Sequence, residues 1–406
     1  MHDSGSALVM VDDRRAALSP LDDLRPIWDV RTGAWTTRER YEHALGRSSV
    51  AGVTSDDVGS CSPAPLDANP PENKPALLVN ARCVLPPDGL VSLALDHTLV
   101  DGDGRVVAAH ASDPSRGLAS ILDGAPHGPS QTCEEASFVE HPWDVVRFRD
   151  KTIAHDLEAM LRDRSRFASE HPDDVHLIGD RPLGIDLTAS VSPGVVLDLQ
   201  YGPIVILRGA TVRPGATLVG PCLIGEDTIV LEHGLIKANT VIGPVCKVAG
   251  EIGGTIFQGH ANKAHHGHLG DSWVGEWVNL GAGTVNSNLL NTYGEIVART
   301  APDAGRVRTG MVYLGAIIGD HVKTAIGTRI MTGSLLATGT MVASSAPAPN
   351  CTSPFDWITD SASRVYRIGK FLEVAATMMG RRDVEMSEAY ESRLRALHER
   401  FRGGSS

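Results

Sequence analysis

The stretch IVILRGATVRPGATLVGPCLIGEDTIVLEHGLIKANTVIGPVCKVAG (204–250) places an aliphatic side chain at every sixth position: Ile206, Val212, Leu218, Ile224, Val230, Ile236, Ile242 and Val248. Neither a helix, with its period of 3.6, nor a flat strand, with its period of 2, sustains that spacing. The chain must turn a corner about every six residues and point one aliphatic residue inward each time. Three such flats close a triangular coil, and coils stacked in parallel set each inward side chain on the one below. The expected fold is a left-handed parallel β-helix built from a hexapeptide repeat. The spacing resumes as Val312, Ile318, Thr324, Ile330, Leu336 and Val342, and it loses phase at 249–267 and 281–311.

Outward from this repeat, 406 residues suggest two or three domains. An α/β domain is expected over 1–175, the solenoid over 176–345, and a linker with C-terminal helices over 346–406. The α/β reading rests on short apolar runs, ALVMV at 7–11, ALLVN at 76–80 and the VV of GRVVAAH. A helix is expected in 31–45, where Thr36 or Thr37 can cap and Glu39 follows in the first turn. Residues 55–75 read as a Pro-, Ser- and Asp-rich loop, and 143–169 as a helix leading into the solenoid. After SSAPAPNCTSP (344–354) come helical patterns at 361–380 and 387–402, which can cover the open last coil.

The formal charge of -12 argues against sequence-independent binding to nucleic acid or an anionic membrane, which leaves small molecules and copies of the same chain as expected partners. Six cysteines without a CxxC pair fit free thiols in a reducing compartment. With no run of about 18 apolar residues, the expectation is a soluble, cytoplasmic protein. The 42 glycines suit narrow turns.

Chemistry concentrates in QGHANKAHHGHLGDSWVGEWVNLGAGTVNSN (258–288), which sets His260, His265, His266, His268 and Lys263 beside a break in the repeat. A break extrudes chain from the wall and lets side chains face a groove. In the N-terminal region, Arg25, Arg31, Thr37 and Arg38 can cradle phosphates or form a helix face with Asp29 and Glu39. Asp101 and Asp103 in VDGDGR can bind a metal, or DGDG can be a hairpin turn. Neither GxGxxG nor a P-loop occurs.

The segments KAHHGHLGDSWVGEWVNLGAGTVNSN (263–288) and VRPGAT (212–217) resemble the acetyltransferase half of the bifunctional GlmU enzymes, which make UDP-N-acetylglucosamine. The whole chain is more similar still to a bacterial GlmU-like group of sugar nucleotidyltransferases, through LRPIWDVRTGAWTTRERYE (24–41), LLVNARCVLP (77–86), HPWDVV (141–146), GPVCKVAGEI (243–252), GDHVKTAIGTRIMTGS (319–334) and PFDW. The resemblance implies a nucleotidyltransferase-like first domain that joins a nucleotide to a sugar 1-phosphate with Mg²⁺. It implies a β-helix that transfers acetyl from acetyl-CoA to glucosamine 1-phosphate or a related amino-sugar phosphate, in a homotrimer.

Counting back from LGD (269–271), the family's base falls on His265; counting forward from KA gives His266. The resemblance assigns Asn279 to the sugar phosphate, Asn288 to the acetyl group and amine, and Ala282 with Gly283 to the cofactor thioester. His268 replaces a tyrosine of the sugar site, and Ile326 stands near the place of a cofactor-holding serine. Lys263, Lys247 and Arg213 are the cations available for phosphate. An amine attacks a thioester only as the free base, so an imidazole suits the task, and Gly-rich rungs supply N–H donors to the tetrahedral intermediate.

Two other classes fit parts of the pattern. His260-x4-His265 is also the spacing of two zinc ligands in the γ-class carbonic anhydrases, although the third histidine expected near residue 224 is missing and His233 is out of register. A non-catalytic trimeric scaffold with a nucleotide-sensing first domain would need only the solenoid.

Overall fold

The hexad residues build three parallel ladders. In the computed structural model Val212 pairs with Val230 and Val230 with Val248, Ile206 with Ile224 and Ile224 with Ile242, and Leu218 with Ile236. All eight residues of the first run are fully buried. The described residues are 5–54, 56–168 and 174–403, so Ser55 and Ser169 of the expected loop and helix lie outside them. The chain divides into two units, 1–144 with 388–394 and 145–387 with 395–406.

The second unit is the solenoid, a triangular parallel β-helix. Its first face runs from His176–Ile178 to His268–Gly270, its second from Leu183–Ile185 to Ser334–Leu336, and its third from Ser190–Val191 through Asp356–Thr359. Corners recur with the same period as the inward side chains. Gly209, Gly215, Asp227, His233, Asn239 and Val245 all have φ between 53° and 71°. That left-handed region favours Gly, Asn, Asp and His, so several histidines of the sequence are corner residues first. Val245 is the exception, and its β-branched chain there costs about 1–2 kcal/mol.

The phase breaks have separate causes. At 249–267 the coil is short: Val248 pairs with the buried Lys263, fifteen residues on, where Val230 pairs with Val248, eighteen residues on. At the second break, Trp273–Val274 pairs directly with Ile317–Ile318, so part of the chain after the wall strand Val285–Asn286 leaves the wall and forms a small hairpin, Val297–Ala298 against Val307–Arg308. Val312 therefore is not an inward residue of the resumed repeat; it is 43 % exposed on the extruded segment. Thr324 is inward and satisfied, its hydroxyl 2.8 Å from that of Thr284 and accepting from the N–H of Gly281 at 3.0 Å.

The solenoid extends past residue 345. Asp356–Thr359 adds in parallel to Met341–Ala343 and is closed by the antiparallel Ser363–Val365, so the expected helix 361–380 starts only at Ile368. The helix Ile368–Gly380 is pinned through Phe371, whose ring meets Phe355 at 4.9 Å and His321 at 5.5 Å. The segment before the solenoid forms two helices, Asp144–Arg147 and Arg149–Arg162.

The first unit holds a six-stranded sheet in the order β2-β1-β3-β5-β4-β6, with β1 Ala7–Val11, β2 Ser49–Val53, β3 Ala76–Asn80, β4 His97–Val100, β5 Val106–Ala111 and β6 Ser130–Thr132. β1 pairs in parallel with both β2 and β3, while β5 is antiparallel to β3 and β4. The continuous apolar run of β3 is buried throughout, as a sheet covered on both faces requires. Thr36 caps the helix Thr37–Leu45 in a capping box with Glu39. DGDG is the β4–β5 turn: Asp101 accepts from the N–H groups of Asp103 and Arg105 at 3.0 and 2.8 Å. Among the described residues no helix is long and apolar enough to cross a membrane.

The inward ladder carries the solenoid's stability. Ile242→Ala should cost about 2–5 kcal/mol, because a buried ladder position leaves a cavity, whereas Ile326→Ala, at 79 % exposure, should barely move the melting temperature. Equal melting of the two variants contradicts the assignment of inward and outward positions.

Candidate functional site

The corner between the third and first faces carries the histidines. On successive coils it is formed by Arg213–Gly215, Leu231–His233, Ala249–Gly250, Ala264–Gly267, Gly281–Gly283 and Ala325–Gly327. His265 and His266 are exposed there. Lys263 places them: its buried ammonium donates to the carbonyls of Ala249 (3.1 Å) and His265 (2.9 Å). Burial pushes its pKa down to about 8. A cation enclosed in this way does not face a phosphate, so the expected phosphate contact of Lys263 is replaced by a structural one.

One coil further along the same corner lie Ala282 and Gly283. The Gly283 N–H donates to the His266 carbonyl at 3.2 Å, and the Gly327 N–H to the Ala282 carbonyl at 2.7 Å. Ile326 projects from the next coil. Arg213 occupies the same corner three coils before His265, about 14 Å away at the usual strand spacing. It pairs with Glu232 at 3.0 Å, so the structure does not bring it to the histidines.

Around that corner, on the first face, His268 and Asn288 converge over Gly270. A Cβ on Gly270 would stand 2.6 Å from His268 Nε2 and 2.8 Å from Asn288 Nδ2, so only glycine keeps this notch open. His268 Nδ1 lies 3.5 Å from Glu251, which pairs with Lys237 at 3.1 Å. The Lys237 hydrogen bond, with the nearby His268, holds the Glu251 carboxyl below its usual value against partial burial. Asn288 donates to Asp271 at 2.6 Å, and Asp271 accepts from Arg149 at 2.7 Å. Glu251, Asp271, Lys237 and Arg149 were not expected from sequence. Only the loss of repeat phase after Val248, directly before Glu251, marked their neighbourhood.

Asn279 and Lys247 lie elsewhere, on the outer side of the third face. Asn279 accepts from Asn262 at 2.7 Å, and both border a cleft beside the helix Ile368–Gly380. His260 stands at the opposite corner of its coil from His265, stacked on Trp277 at 4.4 Å with Nδ1 3.8 Å from Glu276. The two histidines of the zinc spacing therefore point from different corners, and among the described residues no three His, Cys, Asp or Glu side chains converge on a common point.

In the first unit, the chain leaves β1 toward β2 on one side and leaves β3 toward β4 on the other, the strand arrangement beside whose carboxyl ends ligands commonly bind. Asp12, Asp13, Arg14 and Arg15 follow β1 there, and Asn80 and Arg82 end β3. Arg82 grips Asp13 with two bonds, 2.6 and 2.8 Å, and reaches Glu140 at 3.0 Å. Burial would raise Asp13, but Arg82 and Asn80 hold it below its ordinary value; burial with the Asp13 charge raises Asp12. Arg14 and Arg15 are exposed at this edge. The arginines expected to hold nucleotide are engaged otherwise. Arg25 is buried and donates to the Leu21 carbonyl, Arg31 donates to Ala34, and Arg38 pairs with Glu42 at 2.9 Å.

Lys263 gives a pH signature. Its folded pKa near 8 lies below the ordinary 10.5, so between those values the unfolded chain binds the extra proton and stability rises with pH. Lys263→Met should flatten part of that rise in urea melts taken across the window. An unchanged slope contradicts burial of the ammonium.

Residues 8–165 match the family model described as sugar nucleotidyl transferase. The chain is 27% identical over 179 residues to the bifunctional protein GlmU of Nostoc sp. (strain PCC 7120), covering 38% of this chain and 39% of that protein. It is 29% identical over 198 residues to GlmU of Sphingopyxis alaskensis, covering 47% and 37%. The chain thus spans about two fifths of the length of these curated relatives. Among solved structures, a hexapeptide transferase family protein from Anaplasma phagocytophilum matches with a TM-score of 0.28 and 14% identity, over 55% of this chain and 96% of that one. The chain is thus similar to the GlmU proteins over part of its length, with a region that matches the sugar nucleotidyl transferase model followed by a triangular parallel β-helix.

Proposed function

We propose that the solenoid transfers an acetyl group from acetyl-CoA to the amine of an amino-sugar phosphate such as glucosamine 1-phosphate, with His265 as the general base. The observation that carries this reading is the corner itself. An exposed histidine, its backbone carbonyl held by a buried lysine, leads into a glycine notch flanked by His268 and Asn288. Deprotonation of the sugar ammonium by His265 Nε2 or Nδ1 frees the lone pair that attacks the thioester carbon; as the tetrahedral oxyanion collapses the C–S bond breaks, and the second proton lost by the nitrogen is taken up by the CoA thiolate, which leaves as the thiol. In this reading the Ala282 backbone meets the oxyanion or the thioester arm, and Asn288 the amine side. The glycine notch accepts a sugar ring better than a flat wall would.

In this reading the first unit carries nucleotidyl, in particular uridylyl, transfer to the sugar 1-phosphate. Asp12 and the exposed Arg14 and Arg15 at the carboxyl end of β1 are its candidates for Mg²⁺ and phosphate. The corner is exposed in one chain, so a homotrimer that lays a neighbouring prism against it would complete the groove. Light scattering should then report three chains per particle.

His265→Ala should lower acetyl-transfer turnover by a factor of about 10² to 10⁴ with little change in melting, since the side chain is exposed. His266→Ala is the control for the neighbouring histidine. Loss of transfer in His266→Ala with normal rates in His265→Ala moves the base by one residue; normal rates in both remove the corner histidines from the chemistry.

A further inference from the structure

The helix Ile368–Gly380 packs with Phe371, Leu372, Ala375 and Met379 buried and presents Lys370, Glu373, Thr377 and Arg381 on its exposed side. Phe371 fixes its start, and Arg382, just past its end, donates to the Val245 carbonyl at 2.9 Å. Between these anchors the third face and the helix flank a half-open cleft of about 750 Å³, within the usual range of small-molecule sites. Its walls are strongly basic: Lys247 and Lys323 from the third face, Lys370, Arg381 and Arg382 from the helix segment. Among the described residues lining it, Glu373 is the single carboxylate, and it pairs with Lys370 at 2.7 Å.

Lys247, Lys323 and Arg381 have no side-chain hydrogen bond or ion pair among the described residues. Burial pushes Lys323 down to about 8. In a chain of net charge -12, gathering unpaired cations around one void is unfavourable unless an anion enters it. A lone phosphate would leave most of the volume empty and meet only part of this charge. Ile229, Val278, Val374 and Met378 add an apolar wall, and the Asn262 and Asn279 amides add polar groups beside it.

We infer that this cleft binds a nucleoside diphosphate group, with the diphosphate among Lys247, Lys323 and Arg381 and the base along Val278, Val374 and Met378. The site goes beyond the acetyl-transfer reading and does not use His265. A free nucleotide, a sugar nucleotide and the nucleotide end of coenzyme A all present this chemistry.

The test is calorimetric titration of the full chain with ADP, UDP, coenzyme A and adenosine. At least one of the three diphosphates should bind and adenosine should not, and added salt should weaken the binding. Lys323→Gln and Arg381→Gln should each weaken it by about 10-fold, the loss of one charged contact, with circular dichroism unchanged. His265→Ala should bind as the parent does, so a failed acetyl-transfer assay leaves this result intact. Coenzyme A bound in preference to UDP assigns the site to the acyl donor; UDP preferred assigns it to a sugar nucleotide. Failure of all three diphosphates to bind at millimolar concentration overturns the inference. So does affinity that neither variant changes, because the nucleotide would then lie elsewhere in the chain.

Discussion

The stacking of one inward side chain per six residues is the constraint on which the second unit depends. Each inward Val, Ile or Leu rests on its counterpart one coil away, and each corner between them must adopt left-handed backbone geometry. This fixes what the wall can display. Outward positions are free to vary, corners prefer Gly, Asn, Asp or His, and any polar residue placed inward needs a partner inside the prism. Thr324 and Asn286 meet that need through Thr284 and the backbone of Gly270. Lys263 meets it through the carbonyls of Ala249 and His265.

The same constraint explains where chemistry can sit. A uniform prism would offer flat walls without pockets. The coil that admits Lys263 follows one whose corner, Ala249–Gly250, is two residues short of the usual four, and its own corner, Ala264–Gly267, leaves His265 and His266 exposed. Gly253 and Gly270 stack on the first face where a side chain would otherwise fill the space beside His268 and Asn288. On the third face the helix Ile368–Gly380 makes the second concavity, by flanking the outward column Lys247, Asn262, Asn279 and Lys323. Two distinct concave regions thus arise from one repeat by local departures from it.

The solenoid was legible in the sequence because a period of six leaves few alternatives, and the eight residues of the first run are all buried as the period requires. The capping box at Thr36 and the DGDG turn were legible for a similar reason, since each is set by local hydrogen bonds within a few residues. Val312 misled because a residue can keep the repeat's numerical phase after the chain has left the wall. Site residues were less readable. Lys263 looks like a phosphate ligand in sequence, and only the ladder register shows that it points inward. Arg25, Arg31 and Arg38 look available until their carbonyl and carboxylate partners are seen. Arg149 meets Asp271 across more than a hundred residues, and Glu251 meets His268 across one coil, proximities that no local pattern encodes.

The most direct measurement of the central claim is product identification by mass after incubating the purified chain with acetyl-CoA and glucosamine 1-phosphate, with UTP and Mg²⁺ either added or left out. The account predicts an N-acetylated sugar phosphate and free coenzyme A without UTP, because the solenoid corner acts independently of nucleotidyl transfer. Intact acetyl-CoA beside unmodified glucosamine 1-phosphate and its near relatives, from protein that is folded and fully assembled, would contradict an acetyl-transfer site at that corner.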